Sequence, residues 1–401
     1  MSEWKTYKLS KIGSVVGGAT PSTTVDAYYN GDIPWLTPKD LSNFHERYIE
    51  RGERNITKSG LNSCSAQLLP ARSVLFSSRA PIGYVAIAKN PIATNQGFKS
   101  IIPNPEKVDS LFLYYLLKYN KDNIEAMGSG TTFKEVSGAT MKNIEVYLPE
   151  DLDEQRRIAG ILGSLDDKIE LNRRINANLE AQAQALFRSW FVDFEPFRDG
   201  PFVDSQLGKI PQGWKTISLS ELMNYAGGSQ PPASEFINSY KDGYVRFIQI
   251  RDYASESHIT YIPISSKNKT CDIRDIMIAR YGASLGRICY GLKGAYNVAL
   301  AKVLPVKPYY REFLRSYLSS DYFYQSINMK GNRAVQAGFN QSDINSFRLN
   351  FPKDESIIQT YDKVCSQFLN KRLQVLDEIK ALSALRDTLL PKLMAGEITI
   401  E

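Results

Sequence analysis

The longest periodic pattern of apolar and polar positions lies near the middle of the chain, in residues 151–197. Apolar residues recur there at spacings of mostly three and four, the pattern of a helix with one buried face. Asp153 is expected to cap this helix with Glu154 in its first turn, and no further proline occurs before Pro196. A single helix over residues 154–191 would be roughly 57 Å long and would need a partner of similar length. The predicted apolar stripe comprises Ile158, Leu162, Leu165, Ile169, Ile175, Leu179, Ala183, Leu186 and Trp190.

A second periodic segment of similar length covers residues 355–390. The simplest arrangement packs the two helices against each other, and an antiparallel orientation is favoured because the chain crosses the intervening residues before it returns. Asn172 and Asn176 in the first stripe either fix the register of the pair, as polar residues do in coiled coils, or face water. The apolar face of the second helix is predicted to carry Ile357, Tyr361, Val364, Phe368, Val375, Ile379, Leu382 and Leu389.

The two halves of the chain repeat each other in order, with offsets between paired residues that stay between 201 and 212. A repeat of this length fixes the architecture before local structure is considered. The same elements follow one another in each half: a Gly-Gly turn, a strand ending at an aspartate, an arginine before a glycine-containing loop, an asparagine turn, a helix rich in Leu and Tyr, and a strand closed by proline. The paired segments are 17–21 with 227–231, 33–41 with 245–253, 78–83 with 279–286, 95–97 with 297–299, 111–119 with 313–324, 128–134 with 331–340, and 147–149 with 350–352.

Each half also contains short β-branched and aromatic runs between glycine and proline turns, which indicates strands. We therefore predict an α+β protein in which two globular mixed α/β domains are separated by two long helices, packed as an antiparallel coiled coil, with an internal pseudo-two-fold repeat. Three prolines and three glycines in residues 193–214 predict an extended linker that wraps rather than folds. The predicted boundaries are 1–150 for the first globular domain, 151–192 for the central helix, 193–214 for the linker, 215–352 for the second globular domain and 353–401 for the C-terminal helix and tail.

Composition places the chain among globular proteins, because 401 residues with 43% hydrophobic content suffice for two or three domains. The first residues lack the apolar core of a signal peptide, and no apolar run approaches the roughly 18 residues of a membrane span, so we expect a cytoplasmic protein without a membrane partner. Four scattered cysteines and two histidines make a metal site or a disulfide framework an unfavourable interpretation. Most of the net charge of +6 lies outside the two nearly neutral long helices, which points weakly to nucleic acid.

No catalytic centre is predicted. The chain contains no phosphate-binding Gly-x-x-x-x-Gly-Lys-Ser/Thr loop, no Gly-x-Gly-x-x-Gly turn and no Asn/Asp-Pro-Pro-Tyr/Phe stretch of the kind that a base-amino methyltransferase uses. His45 and His258 lie in different halves without an acid or nucleophile at a recognisable spacing. The carboxylates of residues 149–154 are expected to serve as helix caps rather than as a nuclease site.

The polar, glycine-rich loops that recur in both halves are the candidates for DNA contact. Glycine lets the backbone approach phosphate closely, hydroxyls and amides can hydrogen-bond phosphates or bases, and arginine can pair with guanine through two hydrogen bonds. The same loops are also compatible with simple turns. The candidates are Thr20, Ser22, Thr37, Lys39, Ser78, Arg79, Thr131, Thr132 and Lys134 in the first half, and Ser229, Gln230, Gln249, Arg251, Arg280, Tyr281, Arg333 and Gln341 in the second.

Over essentially its full length, the chain resembles the specificity subunit of type I restriction-modification systems. The resemblance is carried by Asp-Glu-Gln-Arg-Arg-Ile at 153–158, Leu-Phe-Arg-Ser-Trp-Phe-Val-Asp-Phe at 186–194, Gly-Lys-Ile-Pro-Gln-Gly-Trp at 208–214 and Leu-Leu-Pro-Lys-Leu-Met-Ala-Gly-Glu-Ile at 389–398. The second helix departs from the pattern, since Gln359 lacks the basic pair that follows Gln155. Docking of a partner is therefore expected to be stronger on one side.

The resemblance implies two target-recognition domains that each read half of a bipartite sequence in double-stranded DNA, with helices that set the spacer and dock two modification subunits. In the family, those partners bring S-adenosylmethionine and methylate adenine N6, and a separate motor nuclease subunit uses ATP and Mg. This chain itself is expected to be non-catalytic and to bind no cofactor. The residues expected to dock partners are Arg156, Arg157, Phe187, Trp190, Phe191 and Phe194.

Two other functions fit the same features. The chain could be an orphan, sequence-specific DNA-binding scaffold that acts without methyltransferase partners. An autonomous endonuclease is disfavoured by the missing metal-site motif. Co-purification with an adenine methyltransferase, DNA binding by the isolated chain, and metal-dependent cleavage distinguish the three.

Overall fold

The computed structural model describes residues 3–130, 134–256, 258–331 and 338–398. The chain divides into two compact units: unit 1 comprises Met1–Arg173 and Glu378–Glu401, and unit 2 comprises Arg174–Asp377. Each unit thus contains one globule together with part of each long helix. Over the described ranges, every helix is too short or too polar to cross a membrane.

Unit 1 is built on a five-stranded sheet of order β2-β9-β6-β7-β4, a three-stranded sheet of order β5-β3-β8 and the antiparallel pair β1-β10. Its strands are β1 (Trp4–Lys8), β2 (Gly13–Gly17), β3 (Tyr29–Leu36), β4 (Tyr48–Ile49), β5 (Arg54–Ile56), β6 (Val74–Ser78), β7 (Ile82–Ala88), β8 (Ala93–Thr94), β9 (Lys99–Pro103) and β10 (Glu145–Pro149). Its helices are α1 (Leu9–Ile12), α2 (Lys58–Asn62), α3 (Ser110–Tyr119), α4 (Lys121–Ala126), α5 (Gly138–Asn143) and the first part of α6 (Leu152–Phe191).

Unit 2 has two four-stranded sheets, of order β14-β21-β18-β19 and β16-β15-β20-β17, and the antiparallel pairs β13-β22 and β11-β12. Its strands are β11 (Phe202–Ser205), β12 (Gly208–Pro211), β13 (Trp214–Ser218), β14 (Met223–Gly227), β15 (Tyr244–Ile248), β16 (Thr260–Pro263), β17 (Thr270–Cys271), β18 (Met277–Ala279), β19 (Ile288–Cys289), β20 (Gly294–Tyr296), β21 (Leu300–Pro305) and β22 (Arg348–Pro352). Its helices are α7 (Arg311–Leu318), α8 (Asp321–Gly331), α9 (Gln341–Asn345), the second part of α6 and the first part of α10 (Ser356–Met394).

The sheets of the two units correspond strand by strand. The order β2-β9-β6-β7 is matched by β14-β21-β18-β19, the order β5-β3-β8 by β16-β15-β20, and the pair β1-β10 by β13-β22. Even the parallel pairing recurs, since Trp35 pairs with Ala93 and Phe247 pairs with Ala295. The predicted α+β class with mixed sheets and an internal repeat is confirmed.

The long helices α6 and α10 pack against each other in an antiparallel orientation, as predicted. In each unit, residues later in α6 meet residues earlier in α10. In unit 1, the Asp166 carboxylate pairs with Arg386 at 2.7 Å and Lys168 pairs with Glu378 at 3.4 Å; in unit 2, Glu180 pairs with Arg372 at 2.6 Å and Ala183 O accepts from the Tyr361 hydroxyl at 3.3 Å.

Asn172, one of the two asparagines of the α6 stripe, is 1% exposed. The alternative prediction that Asn172 faces water is therefore wrong. Its Nδ2 atom has no hydrogen-bond partner within the described part of the chain, and neither has Oδ1 of the half-buried Asn176. Unpaired polar atoms at buried positions cost stability, so register selection by these asparagines stays a prediction.

Both long helices differ from their predicted ends. The Asp151 carboxylate accepts the backbone N–H of Asp153 at 2.9 Å, so Asp151 rather than Asp153 caps α6. Helix α10 continues through Pro391 to Met394. Leu393 and Met394 are buried in the core of unit 1 at 1% exposure each, and this packing outweighs the helix-breaking tendency of the proline.

Two further segments of unit 2 are more structured than predicted. The expected linker 193–214 includes the hairpin β11-β12, whose turn is completed by Gly208 at φ +97°. The expected single helix 313–324 is interrupted between α7 and α8, where the Ser320 hydroxyl accepts the backbone N–H of Phe323 at 3.3 Å and starts a new helix.

Candidate nucleic-acid interface

In unit 1, the Gly-Gly turn that leaves β2 lies directly against the turn of residues 94–98. The Ala19 N–H donates to Thr94 O at 3.0 Å. A Cβ atom on Gly18 would lie 2.1 Å from Asn95 O, so only glycine allows this approach. The Thr20 hydroxyl donates to the Gln96 side-chain oxygen, which places this predicted contact residue at the surface of the turn.

The end of β3 carries two further candidates. Asp40 Oδ2 accepts from the Thr37 N–H at 2.7 Å and from the Thr37 hydroxyl at 2.8 Å, so the Thr37 hydroxyl is used in a local cap. Lys39 is exposed and pairs with the exposed Glu53 at 3.0 Å. Pairs of exposed side chains are weak, so Lys39 can exchange this partner for a phosphate at little cost.

Arg79 lies in a charged cluster with two residues that the sequence pattern did not single out. Its Nη1 atom lies 3.5 Å from Glu135 Oε2, and Lys99 Nζ lies 3.2 Å from Glu135 Oε1. The segment that carries Glu135 is held by paired backbone hydrogen bonds to Ser129 of 3.0 and 2.9 Å. Lys99 lies two residues after the repeated asparagine turn, and this position is the sequence feature that could have identified it as part of the cluster.

The structure contradicts a DNA contact by the Ser78 side chain. Ser78 is fully buried, and its hydroxyl donates to Gly97 O at 3.2 Å. Its role is to join the end of β6 to the asparagine turn. Lys134 is exposed and remains a candidate, whereas Thr131 and Thr132 lie outside the described residues.

Unit 2 repeats this construction with different side chains. Ser229 N–H donates to Tyr296 O at 3.1 Å, and a Cβ atom on Gly228 would lie 2.0 Å from Asn297 O. The buried hydroxyl of Ser229 and the buried Oδ1 of Asn297 have no hydrogen-bond partner in the described ranges. Gln230 is exposed beside them, as its position in the loop predicts.

The end of β15 repeats the aspartate cap. Asp252 Oδ2 accepts the Gln249 backbone N–H at 2.8 Å. Burial raises the pKa of the Asp252 carboxyl, although the hydrogen bond from Gln249 acts in the opposite direction. Arg251 is exposed with Nε 3.9 Å from Asp252 Oδ1, so its guanidinium projects from the cap.

Arg280 follows β18, at the position that Arg79 has after β6. Its guanidinium carbon lies 5.0 Å from the ring centroid of Tyr281, which is 42% exposed. Gln341 is exposed at the start of α9 and donates to Asn345 Oδ1 at 3.0 Å. Arg333 lies outside the described residues.

The asparagine turn is the centre of each loop cluster. In unit 1, Asn95 N–H donates to Leu36 O and Ser78 N–H donates to Gly97 O, both at 2.8 Å. In unit 2, Asn297 N–H donates to Ile248 O at 3.1 Å, Ser229 N–H donates to Tyr296 O at 3.1 Å and Arg280 N–H donates to Ala299 O at 2.8 Å. Most of the predicted contact loops are thereby brought together in each unit.

The structure corrects the predicted partner-docking residues at the end of α6. Phe187, Phe191 and Phe194 are 6%, 6% and 7% exposed and belong to the core of unit 2. The ring centroids of Phe191 and Phe313 are 4.9 Å apart. These rings stabilise the globule, because large aromatic side chains gain most by leaving water. The three rings also line a cleft of about 460 Å³, and the partly buried Trp190 packs on the same core.

Arg156 and Arg157 are exposed on the first turns of α6, and Arg156 pairs with Asp153 at 2.7 Å. Between them and the strand end, Gln155 is fully buried. Its Nε2 atom donates to Pro149 O at 2.9 Å and its Oε1 atom accepts from the Asp109 N–H at 2.8 Å. Gln155 therefore fixes the helix to unit 1, and the two arginines remain candidates for partner docking.

In unit 2, Glu355 fixes the start of α10 to the segment before α7. The carboxylate accepts from Lys307 at 2.6 Å, from the Tyr310 hydroxyl at 2.9 Å and from the Tyr309 hydroxyl. These donors lower the pKa of Glu355 to about 2. Gln359, which the sequence comparison paired with Gln155, is instead exposed.

Within the described ranges, no group of three or more His, Cys, Asp or Glu side chains is placed to hold a metal ion. Burial raises the pKa of the thiols of Cys271, Cys289 and Cys365 to about 11, so each is protonated at neutral pH. Burial lowers the pKa of His45, with a smaller contribution from Arg173.

Each unit thus carries one loop cluster on the repeated scaffold, together with part of α6 and part of α10. The family model described as "Type I restriction modification DNA specificity domain" matches residues 1–181 and 211–378. The chain belongs to this family, the specificity subunits of type I restriction-modification systems.

Relatives support the same assignment along the whole chain. The chain is 35% identical over 417 residues to the type I restriction enzyme MjaIX specificity subunit of Methanocaldococcus jannaschii, covering 100% of this chain and 94% of the relative. It is 25% identical over 482 residues to the HindI specificity subunit of Haemophilus influenzae, covering 99% and 100%. The crystal structure of a type I system S subunit from M. genitalium has the same fold, with a TM-score of 0.59 at 18% identity and coverage of 98% and 96%.

Proposed function

We propose that this chain is the non-catalytic DNA-recognition subunit of a type I restriction-modification complex. The loop cluster of each unit reads one half of a bipartite target in double-stranded DNA. The chain docks two adenine methyltransferase subunits and, through them, the ATP-dependent restriction subunits. S-adenosylmethionine, Mg and ATP belong to those partner subunits, and the complex acts where the chromosome lies, in the cytoplasm.

One observation carries the proposal. The two units share a backbone arrangement, including the close approaches of Gly18 to Asn95 and of Gly228 to Asn297, but present different side chains around it. A shared scaffold with different contact residues is what two modules need if they recognise different sequences in the same way. Arg79 lies beside Glu135 in one cluster, whereas Arg280 lies beside Tyr281 in the other.

The recognition step follows from groove chemistry. Base edges in the major groove distinguish all four base pairs, and exposed Lys, Arg, Gln and Thr side chains can pair with them. Lys39, Arg251 and Lys134 are exposed cations that suit phosphate contacts, which set register without reading sequence. The net charge of +6 is modest, so tight binding requires the positive surface of the methyltransferase partners.

The long helices carry the second part of the proposal. Recognition elements on one face of DNA are separated by about 34 Å per helical turn. Helix α6 has 40 residues and is therefore about 60 Å long. Helices of this length suffice as a ruler for half-sites a turn or more apart. The exposed Arg156 and Arg157 are the proposed contacts to a methyltransferase subunit.

Purification of the chain with and without its methyltransferase partner tests this function. The complex is expected to methylate adenine in duplex DNA at a split motif, and neither component alone should do so. A methyltransferase that keeps the same motif without this chain would refute the proposal. DNA binding by the isolated chain, together with failure to bind any methyltransferase, would support an orphan scaffold instead.

A further inference from the structure

Arg280 of unit 2 lies among three aromatic rings. Its guanidinium carbon is 5.7 Å from the ring centroid of Tyr225, 5.0 Å from that of Tyr281 and 5.9 Å from that of Phe339. The rings of Tyr225 and Phe339 pack edge to face at 5.4 Å. Cation–π contacts of this kind hold a guanidinium in a defined plane without using its N–H groups.

Two glycines shape this aromatic site. A Cβ atom on Gly227 would lie 2.8 Å from Arg280 Nη1, and a Cβ atom on Gly338 would lie 2.7 Å from Tyr281 Cδ1. The guanidinium thus lies against the bare backbone at the end of β14, and the Tyr281 ring lies against the bare backbone before α9. Any side chain at either position would displace the group that it meets.

The guanidinium of Arg280 makes no hydrogen bond to the described residues. No ion pair to its guanidinium occurs among the described residues, and the buried Nε atom has no hydrogen-bond partner there. Nη1 and Nη2 are not buried without a partner as Nε is, so they are the donors that remain for a ligand with two acceptors.

The equivalent arginine of unit 1 is held differently. The strand ends Gly17 and Gly227 correspond, so Val15 stands where unit 2 has Tyr225. Ala80 follows Arg79 as Tyr281 follows Arg280. Arg79 has Glu135 Oε2 at 3.5 Å in place of the rings. Arg79 is paired with a carboxylate, whereas Arg280 is oriented by aromatic rings and has no ion pair with any described residue.

We propose that Arg280 is a specificity-determining residue that reads a guanine in the half-site bound by unit 2. Its guanidinium donates two in-plane hydrogen bonds to O6 and N7 of that guanine, and the rings of Tyr225, Tyr281 and Phe339 position it. Guanine presents two adjacent acceptors in the major groove, which matches the arginine fork. A phosphate contact would not need a fixed plane. This inference rests on the proposed function.

Binding of the purified complex to duplexes with 7-deazaguanine, which lacks the N7 acceptor, tests the assignment. Each guanine of the unit 2 half-site is replaced in turn, with wild type and with Arg280→Gln. At one guanine, wild type should lose roughly 5- to 150-fold in affinity. Arg280→Gln should bind natural DNA more weakly by a similar factor. Replacing that guanine with 7-deazaguanine should not weaken the binding of the variant further. Discrimination in the unit 1 half-site should be unchanged, which also shows that the variant is folded.

Three results would overturn the inference. One is that Arg280→Gln and 7-deazaguanine each weaken DNA binding independently at every guanine, so that their effects on affinity multiply. Another is equal weakening on all sequences with a shallower salt dependence, as expected of a phosphate contact. The third is a unit 2 half-site without guanine. If the Arg280→Gln chain does not assemble with its partners, Tyr281→Leu is the alternative variant. It should reduce base discrimination at the same guanine only, and unchanged discrimination there would contradict the proposal. A wild-type complex without sequence preference would instead refute the proposed function.

Discussion

The Arg47 side chain of unit 1 is joined to Glu170 of helix α6 by a buried ion pair. Arg47 Nε lies 3.1 Å from Glu170 Oε1, and the Arg47 backbone N–H donates to the same oxygen at 2.9 Å. Both side chains are nearly buried, at 5% and 10% exposure. Arg47 Nη1 also donates to Gly163 O at 3.2 Å, so one residue of the globule is fixed to two turns of the helix.

We expect Glu170→Ala to destabilise unit 1 by up to about 3–5 kcal/mol, because it leaves the buried Arg47 with only the exposed Asp167 as a counterion. The matched control is Glu50→Ala, which breaks the exposed pair with Lys89 and should cost much less, because water and salt screen exposed pairs. Urea unfolding monitored by hydrogen exchange in unit 1 measures both. Equal losses for the two variants would show that the buried pair does not anchor the globule to α6.

Gly160 of α6 offers a stabilising substitution. A Cβ atom there meets nothing within 4 Å, so Gly160→Ala should raise the free energy of unfolding by about 0.5–1 kcal/mol through the lower entropy of the unfolded chain. Gly163, three residues further on, provides the comparison, since its Cβ would lie 3.2 Å from Arg47 Nη1. Thermal unfolding should show a smaller gain for Gly163→Ala. A larger gain at Gly163 would contradict the contact with Arg47.

The anchor of α10 in unit 2 should make stability depend on pH. Donors from Lys307, Tyr309 and Tyr310 lower the pKa of Glu355 from 4.5 to about 2. A carboxyl group whose pKa is lower in the folded than in the unfolded state stabilises the folded state at pH values above the unfolded pKa. The contribution of Glu355 should therefore be lost as pH falls from about 4.5 to about 2. Glu355→Gln should remove that part of the acid dependence. Urea midpoints at neutral and acidic pH, compared with Glu221→Gln as a control, measure the difference.

Glu135 should restrain the DNA affinity of unit 1, because it neutralises Arg79 and Lys99 in the candidate interface. In the complex with methyltransferase partners, Glu135→Gln should tighten binding to DNA of any sequence. The slope of log affinity against log salt should become steeper by roughly one to two, as one or two more phosphate contacts form. Glu145→Gln on β10 makes the same charge change away from the cluster. If both variants steepen the slope equally, net charge rather than the cluster is responsible.

Much of the architecture could be predicted from the sequence because it is encoded locally. The stripe of α6 and the repeated Gly-Gly turns need only short-range patterns, and the repeat then fixes which strands correspond. The side-chain clusters could not be predicted in the same way. Lys99 and Glu135 come together only through the pairing of β9 with its neighbours, and residues far apart in sequence carry no visible sign of their contact.

Burial was the least predictable property. Phe187 and Phe191 resemble an exposed aromatic end of a helix until the β13-β22 pair and α7 are in place around them. The continuation of α10 through Pro391 depends on Leu393 and Met394 packing into a core that the N-terminal strand β1 helps to form. In both cases, segments distant in sequence remove apolar surface from water, and the free energy gained by this burial determines the structure.

Independence of the two half-sites tests the central claim most directly. Methylated motifs should be mapped across the genome in strains that carry the wild-type chain, a variant of the unit 1 loop at Thr20, or a variant of the unit 2 loops at Gln230 and Arg280. We predict one split motif in the wild type, and each variant should change or relax a single half of it while the other half and the spacer stay the same. A single contiguous motif, or variants in one unit that alter both halves together, would contradict it.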